Sequence, residues 1–327
     1  MSSQKPVRVL VAGLGNMGRS HALAYHNDPG FEIVGLVNRS QVALPEELQG
    51  YTIHPDFSAA LAELKPDLAS ICTYSDSHAD YAVAAFEAGC HVFVEKPLAT
   101  TVADAERVVA AAKKAGRKLV IGYILRHHPS WVRLIAEARK LGPPYVFRMN
   151  LNQQSSGPTW ETHKALMQTT SPIVDCGVHY VDVMCQMTKA KPTKVHAIGT
   201  RLTNEVVKQN YGMLQVSFDD GSVGWYEAGW GPMMSETAFF VKDVIGPKGS
   251  VSIVMAETAG AVKSDDINAH TKTNQILWHH ADMSKPDERI DMTDEPDHDG
   301  LCEREQRYLL KAIEENIDLT DHMNDGG

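Results

Sequence analysis

Three glycines near the N-terminus stand at fixed spacing between an apolar run and a helix-like stretch. The run Val7 to Ala12 has the composition of a buried strand, and it leads into "AGLGNMGRSHALAYH". There Gly13, Gly15 and Gly18 form the pattern G-x-G-x-x-G. In a strand-turn-helix unit the first glycine permits a tight turn, the second lets the backbone approach a pyrophosphate, and the third lets helix and strand pack closely. The pattern therefore predicts a dinucleotide-binding βαβ unit.

Short β-branched runs alternate with alanine-rich stretches between residues 7 and 122. The stretches "HADYAVAAFEAG" and "VADAERVVAAAKKAG" are helix-like and end at Gly89 and Gly116, where glycine can adopt a left-handed cap. Such alternation is typical of a parallel sheet with crossover helices. It predicts an α/β fold, a doubly wound Rossmann sheet, with strands at Val7 to Ala12, Glu32 to Val37, Leu68 to Thr73, His91 to Val94 and Lys118 to Ile121.

The residue pattern changes after residue 123, where longer strand-like runs replace the alternation of short apolar runs and alanine-rich stretches. A chain of 327 residues is long for one core, so two domains are expected: a dinucleotide-binding domain over 1–123 and a substrate-binding and oligomerisation domain over 124–327. Longer strand-like runs joined by "DDGS" and "PKGS" predict that the second domain is α+β, with a large open, mostly antiparallel sheet. The polar stretch "ADMSKPDERIDMTDEPDHDG" is predicted to be a loop, and a final helix is expected over Leu301 to Ile317.

Composition argues against several kinds of partner. The formal net charge of -10 disfavours nucleic acid and anionic membranes, which need a basic face. No run approaches membrane-spanning length, and the N-terminus lacks the apolar core of a signal peptide. Five widely spaced cysteines without a C-x-x-C pair favour a reducing cytoplasm. The adjacent pairs His127–His128 and His279–His280 have poor spacing for one metal ion, so no metal is predicted.

The second predicted strand ends in "GLVNRS", with Asn38, Arg39 and Ser40. About twenty residues after the glycine turn, an NAD-specific site normally has an acid for the ribose hydroxyls. A guanidinium and a hydroxyl suit a 2′-phosphate better, because arginine binds phosphate through forked hydrogen bonds. This favours NADP over NAD. The alternative is that Arg39 is merely solvated and that Asn38 serves NAD.

The segment "SPIVDCGVHYVDVM" carries Asp175, His179 and Asp182 in an otherwise apolar run. If the segment is one helix, offsets of four and seven place these three side chains on one face and the valines largely on another. Two interpretations follow. The stripe is either a hydrogen-bonded network in the core or a catalytic face.

A third motif lies in "HVFVEKPLA", where Glu95, Lys96 and Pro97 follow a strand at the edge at which open α/β sheets bind ligands. Pro97 favours an extended Lys96. With the glycine turn before it and "DCGVHYVD" after it, the order of motifs resembles the glucose-fructose oxidoreductase / inositol dehydrogenase / rhizopine catabolism (Gfo/Idh/MocA) family of NAD(P)-dependent oxidoreductases. The E-K-P and D-x-G-x-H-x-x-D motifs of that family match here, and the resemblance covers nearly the whole chain.

The resemblance implies hydride transfer between nicotinamide and a hydroxyl-bearing carbon of a sugar, sugar derivative or cyclitol. It implies a catalytic set of Lys96, His179 and Asp175. It implies cofactor contacts from Gly13, Gly15, Asn16, Met17, Gly18, Asn38, Arg39, Ser40, Thr73, Ser75, His78, Glu95, Lys96 and Arg126. Substrate contacts are expected from Lys96, Tyr123, Asp175, His179 and Trp160, with Trp160 in "GPTWETHKALM" as a lid or sugar-stacking residue or simply a structural one.

The chemistry of these residue types agrees with that expectation. An alcohol gives up hydride readily only as its proton leaves, and histidine titrates near the working pH. A lysine can hold the oxygen and stabilise its alkoxide character. Two alternatives stay open, a glycosidase that uses nicotinamide for transient oxidation and a non-catalytic nucleotide sensor. The open sheet also predicts a homodimer or homotetramer formed through it.

Overall fold

The computed structural model describes residues 5–237, 240–254, 263–266 and 273–320, and the chain divides into two units. The first unit contains the described residues up to Ile124 together with those from Asp297 onward, and the second unit is Leu125–Pro296. The sequence predicted a single boundary after residue 123. In the structure the residues from Asp297 onward, including the C-terminal helix, instead belong to the first unit.

The first unit contains a six-stranded parallel sheet with strand order β3-β2-β1-β4-β5-β6. The predicted doubly wound topology is confirmed. The pattern missed β3, which is too short to show periodicity, and it misplaced some strand ends by one or two residues. The strands are β1 Val7–Ala12, β2 Phe31–Val37, β3 Ile53–His54, β4 Leu68–Ile71, β5 His91–Val94 and β6 Leu119–Ile121.

Four helices connect these strands: α1 Asn16–Asn27, α2 Phe57–Leu64, α3 His78–Glu87 and α4 Val102–Ala115. Their ends follow from local chemistry. Asp56 and Thr101 cap α2 and α4 by accepting backbone N–H groups with their side chains. Gly116 ends α4 with a positive φ of 62°, as the sequence predicted.

The described residues of the second unit form four α-helices, α5 Pro129–Leu141, α6 Gly157–Leu166, α7 Pro172–Asp175 and α8 Gly177–Thr188. Its eight-stranded sheet has the order β14-β13-β12-β11-β7-β10-β9-β8, and of the recorded pairings only β7 with β10 is parallel. The mostly antiparallel sheet is therefore confirmed. Its strands are β7 Val146–Gln153, β8 Pro192–Thr200, β9 Tyr211–Phe218, β10 Val223–Trp230, β11 Phe240–Gly246, β12 Gly249–Val254, β13 Gln275–His280 and β14 Glu288–Asp291.

One face of this sheet is covered by helices of the same unit. Side chains that alternate along the strands, such as Phe147, Met149, Tyr226 and Val244, are fully buried. Helices α5, α7 and α8 contact strands of the sheet. The predicted loop between residues 281 and 300 is corrected, because it contains β14, which pairs with β13.

The last helix, α9 His298–Glu314, belongs to the first unit. It starts three residues before the predicted helix because the Asp297 side chain accepts the Gly300 N–H. Leu309 and Leu310 join Tyr25 of α1 and Phe31 of β2 in one apolar cluster. Among the described residues, no helix is both long and apolar enough to cross a membrane.

Candidate functional site

The glycine turn in the first unit depends on two glycines for close backbone contacts. Gly13 has a φ of +89°, and a Cβ there would lie 2.5 Å from the Cys72 carbonyl oxygen. A Cβ on Gly18 would lie 1.7 Å from the Gly13 carbonyl oxygen. Real Cβ atoms do not approach that closely, so both positions need glycine for the turn to exist at all.

Gly15 differs from its two neighbours in the motif. A Cβ there would meet no described atom within 4 Å, and no described side chain caps the helix N-terminus that it forms. The first amides of α1, at Asn16 and Met17, therefore lie at the positive end of the helix dipole beside open space. This arrangement fits a pyrophosphate, which binds to uncapped helix N-termini of this kind.

The end of β2 is tied to the glycine turn by Asn38. Its Oδ1 accepts the Leu14 N–H at 3.1 Å, and its Nδ2 donates to the Ser40 carbonyl at 2.7 Å. Arg39 is exposed, and its guanidinium has no recorded partner within the described ranges. The side chain of Asn38 thus shapes the turn, while Arg39 is free to bind an anion.

A second guanidinium lies near the start of α1, and the sequence reasoning did not single it out. Arg19 donates to Asn16 Oδ1 at 2.8 Å and lies 3.5 Å from the Ala43 carbonyl oxygen in the segment after Arg39. Its position directly after Gly18 was the signal that could have identified it. Arg19 adds positive charge beside the glycine turn.

The polar segment after β4 is held by backbone contacts of His78. One ring nitrogen lies 2.7 Å from the Pro97 carbonyl oxygen and the other 3.0 Å from the Thr73 carbonyl oxygen. Thr73 Oγ1 accepts the Ser77 hydroxyl at 2.7 Å. The resemblance implied that His78 contacts the cofactor; in the structure, each of its ring nitrogens lies within hydrogen-bond distance of a backbone carbonyl oxygen, in two different loops. Ser75 begins a short 3-10 turn in the same segment.

Glu95, at the end of β5, has a buried carboxylate. Its Oε1 lies 2.7 Å from His21 Nε2, and its Oε2 accepts the Lys96 N–H at 3.1 Å. Gly122 leaves the room for this carboxylate, because a Cβ there would lie 3.0 Å from the Glu95 carboxyl group. The carboxylate is engaged inside the first unit. Tyr123, in the same unit, is buried as well.

The polar stripe of the second unit is not one continuous helix. Asp175 ends α7 and His179 lies in the first turn of α8, with Cys176 between the two helices. Asp175 and His179 are both half-buried. The predicted single helix is corrected, although Cys176 has helical φ and ψ angles and keeps the two segments roughly in register.

Helix α8 is anchored through its apolar face. Tyr180 stacks on Tyr226 of β10 with ring centroids 4.7 Å apart, and its other neighbour is Trp131 of α5 at 5.8 Å. Gly177 permits this approach, because a Cβ there would lie 3.2 Å from the Tyr226 ring. These contacts fix the apolar side of α8 against the sheet and α5.

Asp182, the third residue of the polar stripe, is paired with an arginine of the same unit. Both of its oxygens accept from Arg126, Oδ2 from Nε at 2.9 Å and Oδ1 from Nη2 at 2.5 Å, and both side chains are largely buried. The forked pair neutralises the two charges within the unit. For Asp182 these contacts favour the interpretation as a hydrogen-bonded core network. The Arg126 guanidinium, expected near the cofactor, is held by this pair.

His163 of α6 lies in the same segment, "GPTWETHKALM", as Trp160. It stacks on Trp230 with centroids 4.2 Å apart and an interplanar angle of 10°, and its Nδ1 lies 3.0 Å from Ser155 Oγ. Burial lowers the pKa of His163 to about 4, while the nearby Asp175 carboxylate acts in the opposite direction. A neutral imidazole therefore lies near Asp175.

Trp160, a predicted substrate residue, is buried in α6. Its indole N–H lies 3.4 Å from Glu205 Oε2, and Lys164 reaches the same carboxylate at 3.3 Å. These contacts favour the structural role that the sequence left open for Trp160.

A buried lysine packs against Tyr180 of α8, and no pattern in the sequence predicted its burial. The Lys242 ammonium on β11 lies 4.6 Å from the Tyr180 ring centroid and contacts the Asn150 carbonyl oxygen. Burial lowers the pKa of Lys242 to about 7.

The described residues contain no group of histidine, cysteine, aspartate and glutamate side chains that could hold a metal ion.

Together, the strand order, the glycine turn and the uncapped start of α1 define the first unit as a dinucleotide-binding Rossmann domain. Two family models match the chain. Residues 7–123 match the oxidoreductase family with a NAD-binding Rossmann fold, and residues 131–252 match the GFO/IDH/MocA C-terminal domain. The chain belongs to the GFO/IDH/MocA family of oxidoreductases, as the motifs indicated.

Named relatives lie in the same family. The chain is 30% identical over 182 residues to inositol 2-dehydrogenase of Salmonella paratyphi B, a match covering 53% of this chain and 52% of that protein. It is 26% identical over 279 residues to D-glucoside 3-dehydrogenase of Escherichia coli K12, covering 78% and 79%. The match thus spans about half the length of the inositol 2-dehydrogenases.

A solved structure agrees with the fold. The WlbA dehydrogenase of Bordetella pertussis, in complex with NADH and UDP-GlcNAcA, superposes with a TM-score of 0.75 at 20% identity. The superposition covers 98% of this chain and 92% of that one. At this identity the likeness concerns the fold.

Proposed function

We propose that this protein is an NAD(P)-dependent dehydrogenase or reductase acting on a hydroxyl-bearing carbon of a sugar, sugar derivative or cyclitol. The observation that carries the proposal is the glycine turn, in which Gly13 and Gly18 are sterically required while Gly15 faces open space. The relatives named above are dehydrogenases of an inositol and of glucosides. They favour this function over a glycosidase or a nucleotide sensor.

Each proposed catalytic residue has a distinct task. Lys96 holds the substrate oxygen and stabilises its negative charge. His179 takes the hydroxyl proton during oxidation and returns it during reduction. Asp175, one turn before His179, orients the imidazole or binds a neighbouring hydroxyl. Tyr123 is proposed to line the substrate site. A bound nicotinamide would supply the hydride acceptor or donor.

A substrate screen tests the proposal. Sugars, inositols and nucleotide sugars would be offered with each oxidised cofactor, and the corresponding keto compounds with each reduced cofactor, while the absorbance of the reduced nicotinamide is followed. We expect at least one polyol or sugar to give a stoichiometric change. Product formation without a net change in absorbance would instead indicate a glycosidase, and no turnover with any compound would contradict the proposal.

We also propose that the cofactor is NADP(H) rather than NAD(H). The support is the exposed guanidinium of Arg39, the absence of an acid at the end of β2, and the second guanidinium of Arg19 beside the turn. Two arginines and a hydroxyl at Ser40 suit a 2′-phosphate.

Replacing Arg39 with serine should weaken NADPH binding by about 10- to 100-fold, because a charge-assisted bond to phosphate contributes about 1.5–3 kcal/mol. NADH binding should change by about twofold at most. Fluorescence titration of each reduced cofactor measures both dissociation constants. An equal loss for the two cofactors, or a wild-type preference for NADH, would refute the assignment of Arg39 to the 2′-phosphate.

We propose that the protein forms a homodimer or homotetramer through the large sheet. Every residue of β8 is exposed, including Val195 and Ile198, and an edge strand of this kind is usually covered by another chain. Light scattering should give a multiple of 35.9 kDa, and the double variant Val195→Asp/Ile198→Asp should give a smaller species. A monomeric wild type would exclude the assembly.

All five cysteines are free, which supports a cytoplasmic location.

A further inference from the structure

A chain of buried hydrogen bonds inside the first unit leads from α9 to Lys96. Tyr25 donates to Gln306 Oε1 at 2.7 Å, and Gln306 Nε2 lies 2.9 Å from His21 Nδ1. His21 Nε2 lies 2.7 Å from Glu95 Oε1, and Glu95 Oε2 accepts the Lys96 N–H at 3.1 Å. The contacts join residues up to 285 positions apart in the sequence.

Burial makes each of these bonds necessary. His21 is 0% exposed, Gln306 1% and Glu95 5%. A buried carboxylate without donors is strongly destabilised, and a buried polar network is stable only when its members are satisfied. His21 and the Lys96 amide supply donors to the two oxygens of Glu95, so the position of the carboxylate depends on both.

The amide of Gln306 favours one position for the ring proton of His21. With Gln306 Nε2 directed at Nδ1, that ring nitrogen accepts, and the proton of a neutral ring lies on Nε2, from which it is donated to Glu95. The Phe93 ring, with its centroid 4.6 Å from that of His21, packs on the imidazole. The neutral Nε2–H tautomer is therefore the one that completes the chain of bonds.

The segment that follows Glu95 is held from a second side. His78 contacts the Pro97 carbonyl oxygen at 2.7 Å, one residue beyond Lys96. The Lys96 backbone thus lies between a bond at its own N–H and a bond at the next carbonyl. A shift of the Glu95 carboxylate would move the first of these two restraints.

We propose that His21 and Gln306 are positioning residues, which hold the Glu95 carboxylate and through it the backbone of Lys96 in the conformation needed for hydride transfer. The role of Lys96 in that reaction rests on the function proposed above. Neither His21 nor Gln306 touches the substrate, and both act through Glu95.

The test compares three variants of the full chain. His21→Leu removes the donor to Glu95, and His21→Gln restores an N–H near the position of Nε2. Leu309→Ala removes apolar contacts in the cluster that holds α9, and it leaves every hydrogen-bonding group of the network in place. We expect His21→Leu to lower kcat by about tenfold or more, because misplacing a catalytic group is costly, with the dissociation constant of the reduced cofactor changed by about twofold at most. His21→Gln should recover most of the rate, and Leu309→Ala should keep the wild-type kcat below its unfolding temperature.

Two measurements are independent of activity. The ¹⁵N shifts of His21 should show a proton on Nε2 in the wild type, and hydrogen exchange at the Lys96 amide should accelerate in His21→Leu but not in Leu309→Ala. If His21→Leu does not fold, Gln306→Leu serves in its place, with the same acceleration expected.

Equal kcat losses in His21→Leu and Leu309→Ala, or no recovery in His21→Gln, would overturn the proposal. Either result would show that the network only stabilises the fold and does not position Lys96. An unchanged Lys96 exchange rate in His21→Leu would do the same. If the wild type turns over no sugar or cyclitol, the proposed function fails, and the exchange and ¹⁵N data still decide whether His21 and Gln306 position Lys96.

Discussion

Lys96→Met and His179→Asn are each expected to lower kcat by about 10²–10⁴-fold, the usual contribution of a positioned acid, base or charge-stabilising group. The methionine keeps the apolar length of lysine without its charge, and asparagine keeps a polar group without an imidazole that titrates near neutral pH. The dissociation constant of the reduced cofactor should change little. Steady-state kinetics on the substrate found in the screen, with fluorescence titration of cofactor, measure both quantities.

Two exposed residues provide matched controls for these substitutions. Lys114→Met on α4 and His26→Asn on α1 change the same residue types at exposed positions. Both controls should retain wild-type kcat. Wild-type turnover in Lys96→Met or in His179→Asn would remove that residue from the mechanism, and a large loss of cofactor affinity in Lys96→Met would move Lys96 from the reaction to cofactor binding.

Gly18→Ala is expected to lower the free energy of unfolding by about 3 kcal/mol or more, because the new methyl group would lie 1.7 Å from the Gly13 carbonyl oxygen. The clash is with backbone and cannot be relieved by turning a side chain. Helix α1 would have to move away from β1. Urea denaturation, followed by circular dichroism, measures the change.

Gly15→Ala is the matched substitution in the same turn. Its Cβ would meet no described atom within 4 Å, and the Gly15 φ of -69° is ordinary for an alanine, so stability should change by about 0.5 kcal/mol at most. The affinity for the reduced cofactor should nevertheless fall by about tenfold or more, because the methyl group would keep the backbone from approaching the pyrophosphate. A stable Gly18→Ala variant, or a Gly15→Ala variant that binds normally, would contradict this division of roles.

Local sequence patterns predicted the elements whose causes are local. Val7–Ala12 and His91–Val94 are strands with the predicted bounds, and Gly116 ends α4 where a left-handed cap was expected. Errors occurred where tertiary contacts decide. The strand β3 is two residues long and exists by pairing with β2, and β14 in the predicted loop exists by pairing with β13. Neither pairing has a periodic signal.

The residues of the candidate site also divide into those that a local motif predicted and those that tertiary contacts decide. The requirement for glycine at Gly13 and Gly18 followed from their spacing, because the motif itself encodes the turn. The pairing of Asp182 with Arg126 did not follow from the sequence. The helical offset of Asp182 from His179 does not indicate that both carboxylate oxygens accept hydrogen bonds from Arg126. Lys96, His179 and Asp175 remain predictions for the reaction, carried by the family motifs and by the chemistry of their side chains.

By itself, the sequence determined the Rossmann topology, the mostly antiparallel second sheet and the family, since hydrophobic periodicity, turn chemistry and short motifs act over a few neighbouring residues. Only the tertiary structure decided that α9 returns to the first unit, that Gln306 meets His21, and that Lys242 is buried against Tyr180. The physical reason is that burial and hydrogen-bond pairing between distant residues depend on how the elements pack, and no local pattern records which partner each polar side chain will find.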